Sequence, residues 1–136
     1  MRSLDAFIRT HPADGCCDEG PSYWSASGGG LFDCLELLFG ASQGKIDIFG
    51  EKIVQDIGAY LYKVHIHDAY FAAFADCDAK ADPGGDIIYR YGLRIGEESL
   101  IRLGASRPKS GKPNIHIWFG IYGYLCDLFQ ERDRLA

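Results

Sequence analysis

The stretch GPSYWSASGGGLFDCLELLFG, residues 20–40, decides how this chain folds. Its second half places Leu31, Cys34, Leu35 and Leu38 on one face of a helix. Pro21 stands where a first helical turn accepts a residue without an N–H. The spacing predicts a helix over about 21–39. Three consecutive glycines at 28–30 oppose it, because each costs about 1 kcal/mol relative to alanine in a helix interior. Such a triplet implies a break, a kink or a backbone pressed against a neighbour. A functional site at this weak point and a tight helix crossing would both explain it.

Outward from this stretch the chain reads as helix after helix. Leu4, Phe7 and Ile8 mark a helix over residues 4–10, ended before HPADG, where Pro12 and Gly15 punctuate the chain. Ile53, Ile57, Tyr60, Leu61 and Val64 form one stripe of a helix over 51–64, within which Gly58 implies close packing. His65 and His67 share a face only if that segment is extended. Residues 69–75 read as a short buried extended piece. Asp86 is placed to cap a helix that begins at Ile87, and acids open the next helical turn at Glu97 and Glu98. A basic Pro/Gly/Ser loop follows Ser106, and Ile117, Ile121, Leu125 and Leu128 recur at helical intervals over 115–131. The expected class is mainly α, with antiparallel neighbouring helices and at most a short extended segment. Alternating helix pairs of this kind suit a partial α/α toroid.

Composition narrows the function. A chain of 136 residues fits one domain or part of a larger one. With 47% hydrophobic and 24% charged residues it is globular. A net charge of -5 argues against a nucleic-acid binder, which needs a basic face. No apolar run is long enough to span a membrane, and the first ten residues lack the apolar stretch of a secretory signal. GASQGK at 40–45 is one residue short of a phosphate loop, and Ile46 replaces its Ser/Thr, so a simple connection is expected there. Five cysteines, Cys16, Cys17, Cys34, Cys77 and Cys126, show no CxxC spacing. Reduced packing cysteines are the plainer reading; a zinc site drawing on Cys16, Cys17, His11 or the His65/His67 pair is the sharper one. No cofactor and no metal are expected.

Four segments, taken together, resemble the heparinase II/III family of polysaccharide lyases: DEGPSYW (18–24), GGGLFDCLELL (28–38), FADCDAK (74–80) and YRYGLRIG (89–96). They occur in the family's order and cover roughly residues 14–100. The resemblance implies the closing part of the helical toroid of a larger enzyme, with a divergent end from about residue 106 to 136. It implies a periplasmic or secreted location and an acidic polysaccharide substrate of the heparin or heparan sulfate kind. It also implies β-elimination. A base takes the C5 proton of a uronic acid, the C4 oxygen leaves with a proton, and a C4–C5 double bond remains. The family tyrosine of the first motif falls on Tyr23. Free tyrosine, with a pKa of about 10, is a reasonable acid and a poor neutral-pH base, so the reaction demands neighbouring positive charge or hydrogen-bond donors. None of His11, His65, His67 and His116 falls in a family motif. The chain departs from the family at Ala73, where asparagine is common.

Around Tyr23 two further residues are candidates for substrate binding. Glu19 binds a sugar hydroxyl or braces the loop, or else serves only as an acid at a helix N-terminus. Trp24 stacks on a sugar ring, or else fills the core. For Asp76 and Arg90 the expectation is internal salt bridging. The lyase reading predicts a chain inactive alone. The alternative is a non-catalytic helical glycan-binding or assembly domain, whose uncovered apolar helix faces would form a homo-oligomer.

Overall fold

A computed structural model describes residues 2–107. The expected helix over residues 115–131 and most of the divergent end lie outside that range. Within it the protein is mainly α-helical. The elements in order are α1 (Arg2–Thr10), a 3-10 turn (Pro21–Tyr23), a π turn (Ser25–Gly29), α2 (Gly30–Ala41), α3 (Lys52–Val64), the strands β1 (His65–His67) and β2 (Tyr70–Phe71), α4 (Gly85–Ile95) and α5 (Glu98–Ser106).

The glycine triplet neither breaks the chain nor leaves a regular α-helix. Residues 21–41 run on as one helical path that widens into a π turn over Ser25–Gly29. A side chain at Gly28 would stand 2.5 Å from Trp24 Nε1, and one at Gly29 would stand 2.9 Å from Ile87 Cδ1. The glycines therefore leave room for the indole of Trp24 on one side and for α4 on the other. A wide turn with no side chains lets these neighbours approach the backbone.

One core holds these elements together. Trp24, Phe32, Ile57, Leu61, Ile88 and Tyr91 are fully buried within it. Tyr91 stacks on Phe32 at 5.0 Å between ring centroids and lies 5.8 Å from the Trp24 ring. Its hydroxyl donates to the Val54 carbonyl at 2.8 Å, which satisfies the one polar atom the ring carries inward. Burial raises the Tyr91 phenol above its ordinary pKa, so the ring stays neutral. Gly58 behaves as its position in the apolar stripe implies: a Cβ there would meet Tyr91 Cε1 at 2.6 Å.

The α4 and α5 helices form an antiparallel hairpin turned at Gly96, which adopts φ 71°. Their closest approach is backbone on backbone. A Cβ on Gly104 would lie 2.4 Å from Tyr89 N. The α2 and α4 helices relate differently. Hydrogen bonds join Ser22 to Cys77, Ser25 to Pro83 and Asp33 to Arg90 across separations of 55, 58 and 57 residues. The Glu36–Arg94 ion pair repeats the 58-residue offset. A near-constant offset means that the two segments run side by side in the same direction. Antiparallel packing thus holds for α4 with α5, whereas α2 and α4 are parallel.

Three local expectations are corrected. Asp86 does not cap α4. The cap is Gly84 at φ 83° with no side-chain bond, and its N–H is taken by Asp82 Oδ1 instead. Residues 69–75 are extended only in part. β2 covers Tyr70–Phe71, Phe71 alone of these seven is fully buried, and Tyr70 and Phe74 are exposed. Asp76 is exposed and takes part in none of the ion pairs among the described residues, whereas Arg90 is buried beside Asp33 as expected. His65 and His67 do lie in an extended strand, paired antiparallel with β2.

Candidate functional site

The loop Cys17–Gly20 turns into the one-turn helix that carries Tyr23. Gly20 N donates to the Cys17 carbonyl at 2.9 Å, and Tyr23 N donates to the Gly20 carbonyl at 3.1 Å. Gly20 adopts φ 92°, a conformation that glycine reaches without strain, and a Cβ there would lie 2.4 Å from Cys77 Cβ. Pro21 is buried at the start of the turn, and Ser25 Oγ closes its far side by donating to the Pro83 carbonyl at 2.6 Å. The turn is thus pinned against two loops distant in sequence.

Tyr23 projects outward from this frame. It is 42% exposed, and its hydroxyl makes none of the hydrogen bonds found among the described residues. The phenol oxygen thus takes no part in the hydrogen bonds that hold the described residues together. Its neighbour is the opposite case. Trp24 is 0% exposed, its Nε1 donates to the Ile57 carbonyl at 2.8 Å, and its ring packs against Tyr91. No face of the indole is open to a sugar, so the expectation that Trp24 binds substrate is corrected: it is the core anchor beneath Tyr23. Its spacing from Leu31 and Leu35, at i+7 and i+11, was the signal in the sequence that marks a buried face.

Glu19 is exposed and makes no capping bond to the turn that follows. Among the described residues its carboxylate takes part in no ion pair, and it lies at the surface four residues before Tyr23. Asp18, Asp76 and Asp78 are also exposed around the same two loops. Among the described residues no Arg, Lys or His is bonded to Tyr23 or Glu19.

Beneath the turn lies a group of thiols that the motifs alone did not connect. Cys77 Sγ meets Ser22 Oγ at 3.0 Å and Ser22 N at 3.3 Å, and Ser27 Oγ donates to Cys17 Sγ at 3.3 Å. Cys17 and Cys77 are buried, Cys16 is partly exposed and Cys34 is exposed; all four are free. Burial raises the Cys16 thiol above its ordinary pKa, with the nearby Tyr60 hydroxyl opposing and the charges of Asp14 and Asp18 adding to the rise. Packing cysteines describe Cys17 and Cys77 well, and Cys34 not at all. Among the described residues no three His, Cys, Asp or Glu side chains gather as metal ligands. Nor is any described helix long and apolar enough to cross a membrane.

The motif segments meet in pairs. DEGPSYW rests on FADCDAK through Ser22 and Cys77. GGGLFDCLELL rests on YRYGLRIG through Asp33–Arg90 at 3.4 Å and Glu36–Arg94 at 3.0 Å. No protein-family model matches the chain, and no curated protein matches it significantly.

Proposed function

We propose that this chain carries the acid/base tyrosine of a polysaccharide lyase, with Tyr23 protonating the leaving C4 oxygen of a uronic-acid-containing glycan during β-elimination. The observation that carries the reading is the contrast between Tyr23 and its frame: an exposed, unbonded phenol on a turn whose every other anchor is buried or hydrogen-bonded. A general acid needs that combination of fixed position and free proton. The pairwise contact of the four motif segments supports a shared architecture with heparinase II/III-type enzymes, including a helical toroid, because motifs far apart in sequence serve one frame. In this reading Glu19 contacts a sugar hydroxyl. The positive or hydrogen-bonding groups that neutralise the uronate are not among the described residues bonded to Tyr23, and this reading expects the chain to be inactive alone.

The test follows the ultraviolet absorbance of the unsaturated product with heparin, heparan sulfate and other uronic-acid polymers. The isolated chain should give no turnover, and robust turnover would overturn the claim that it lacks part of the site. In a complete lyase that shares the DEGPSYW motif, replacing the tyrosine equivalent to Tyr23 with phenylalanine should abolish elimination; undiminished turnover would remove the acid role. In this chain Tyr23→Phe should change stability by less than about 0.5 kcal/mol, as expected for an exposed hydroxyl outside the hydrogen-bond network.

One observation favours a second reading, a helical assembly domain. Leu37 is 47% exposed and Leu93 52% exposed, each next in sequence to a member of the Glu36–Arg94 pair. Large apolar side chains presented on neighbouring helices favour self-association. Light scattering should then show a dimer or larger species that Leu37→Glu with Leu93→Glu converts to monomer. A monomeric parent at high concentration would end this reading.

A further inference from the structure

We propose that Cys77 is the positioning residue for Tyr23, acting through the hydrogen bonds of its thiol. The Cys77 sulfur is bonded both within its own loop and to the Tyr23 turn. Its S–H donates to the Asp78 carbonyl at 3.0 Å, and its lone pairs face the Ser22 N–H at 3.3 Å and the Ser22 hydroxyl at 3.0 Å. Ser22 immediately precedes Tyr23, so the sulfur holds the backbone one residue from the phenol. The N–H of Ser22 is a first-turn donor with no partner inside so short a helix, and the thiol supplies one.

Steric fit reinforces the bonds. Cys77 Cβ occupies the space in which a side chain at Gly20 would stand, so the turn closes directly onto Cys77. The Cys77 backbone is itself tied, its N–H donating to the Phe74 carbonyl at 3.1 Å. That carbonyl oxygen also lies 2.8 Å from the position of a Gly20 Cβ. The loop 74–77 therefore forms a seat, and the sulfur is the atom in it that bonds to the turn. Burial suits this role, since hydrogen bonds to sulfur count for more where water does not compete.

The proposal depends on the lyase reading only for what Tyr23 does, and its test reads where Tyr23 sits. The full chain is labelled with 3-fluorotyrosine, and the Tyr23 fluorine resonance is identified by its loss in Tyr23→Phe. Cys77→Ala should shift that resonance by more than its linewidth. Cys77→Ser, which keeps one donor and two acceptor positions, should return it towards the parent. A role in stability alone would lower the melting temperature of both variants without moving the Tyr23 resonance. An unmoved resonance in Cys77→Ala overturns the proposal, and so does an equal shift in both variants. Should Cys77→Ala fail to fold, Ser22→Ala removes the hydroxyl contact alone and should move the same resonance; no movement there overturns the proposal equally. Absence of lyase activity in a complete enzyme would leave these spectra unchanged, so the two failures are distinct.

Discussion

Trp24→Ala should lower the unfolding free energy by about 4 kcal/mol, the range for truncating a large aromatic side chain in a core. The residue is completely buried, and its removal opens a space bordered by Gly28, Ile57 and Tyr91. Gly28 cannot fill that space, because it has no side chain to move inward. The hydrogen bond to the Ile57 carbonyl is lost with the ring, which adds about 1 kcal/mol. Domains of this size are stable by only about 5–15 kcal/mol, so the loss takes a large share of the total. Urea denaturation followed by circular dichroism gives the value. A loss below about 1 kcal/mol would mean that Trp24 is not the anchor, and would reopen its availability to a ligand. Trp24→Phe should fall between the parent and the alanine variant, since it keeps most of the ring and loses the N–H.

Arg90→Met should cost about 3 kcal/mol or more by the same measurement. The Arg90 side chain is buried, its Nη2 lies 3.4 Å from Asp33 Oδ1, and its guanidinium lies 5.0 Å over the Phe32 ring. Methionine preserves much of the volume and takes the Arg90 charge from beside the buried Asp33 carboxylate. Adding Asp33→Leu to Arg90→Met should recover most of the loss, because a buried pair replaced on both sides by apolar groups is often near neutral. A double variant as unstable as the sum of the two single changes would show that the pair is not coupled. The cost of separating the charges is largest here because Asp33 and Arg90 are the most buried of the ion pairs among the described residues.

Where hydrophobic spacing was clean, the sequence foretold the element. Leu4, Phe7 and Ile8, and the stripe from Ile53 to Val64, fell on α1 and α3, because one buried face imposes a 3.6-residue period. The His65/His67 alternation allowed an extended segment without deciding it, and the strand is there. The glycine triplet was legible as close packing and illegible as a π turn. A glycine run lacks side chains to carry a period, so its backbone is set by neighbours that lie far away in sequence. The Asp86 cap failed for a related reason: Gly84 and Gly85 turn the chain before the acid can reach the helix end, and Asp82 takes the cap donor. In the candidate site, Tyr23 was picked out by its motif, which is silent on the burial of Trp24; only the spacing of Trp24 from Leu31 and Leu35 marks that, because adjacent residues on a helical turn point in different directions. The seat formed by Cys77 was hidden altogether. It depends on a contact across 55 residues, and a sulfur accepting hydrogen bonds leaves no spacing to find.

The constant offset between the Tyr23–α2 segment and the Cys77–α4 segment also has an entropic consequence. Each of the bonds Ser22–Cys77, Ser25–Pro83 and Asp33–Arg90 would, by itself, have to bring together positions 55 to 58 residues apart. The penalty for closing a loop grows only with the logarithm of its length, but it is incurred whenever an independent loop is closed. Because the offsets are nearly equal, all three bonds lie on one closed loop. Whichever forms first bears the closure penalty, and the others then add only the ordering of their own side chains. The seat of Tyr23 is thus held at the low marginal entropy of a zipper's later teeth.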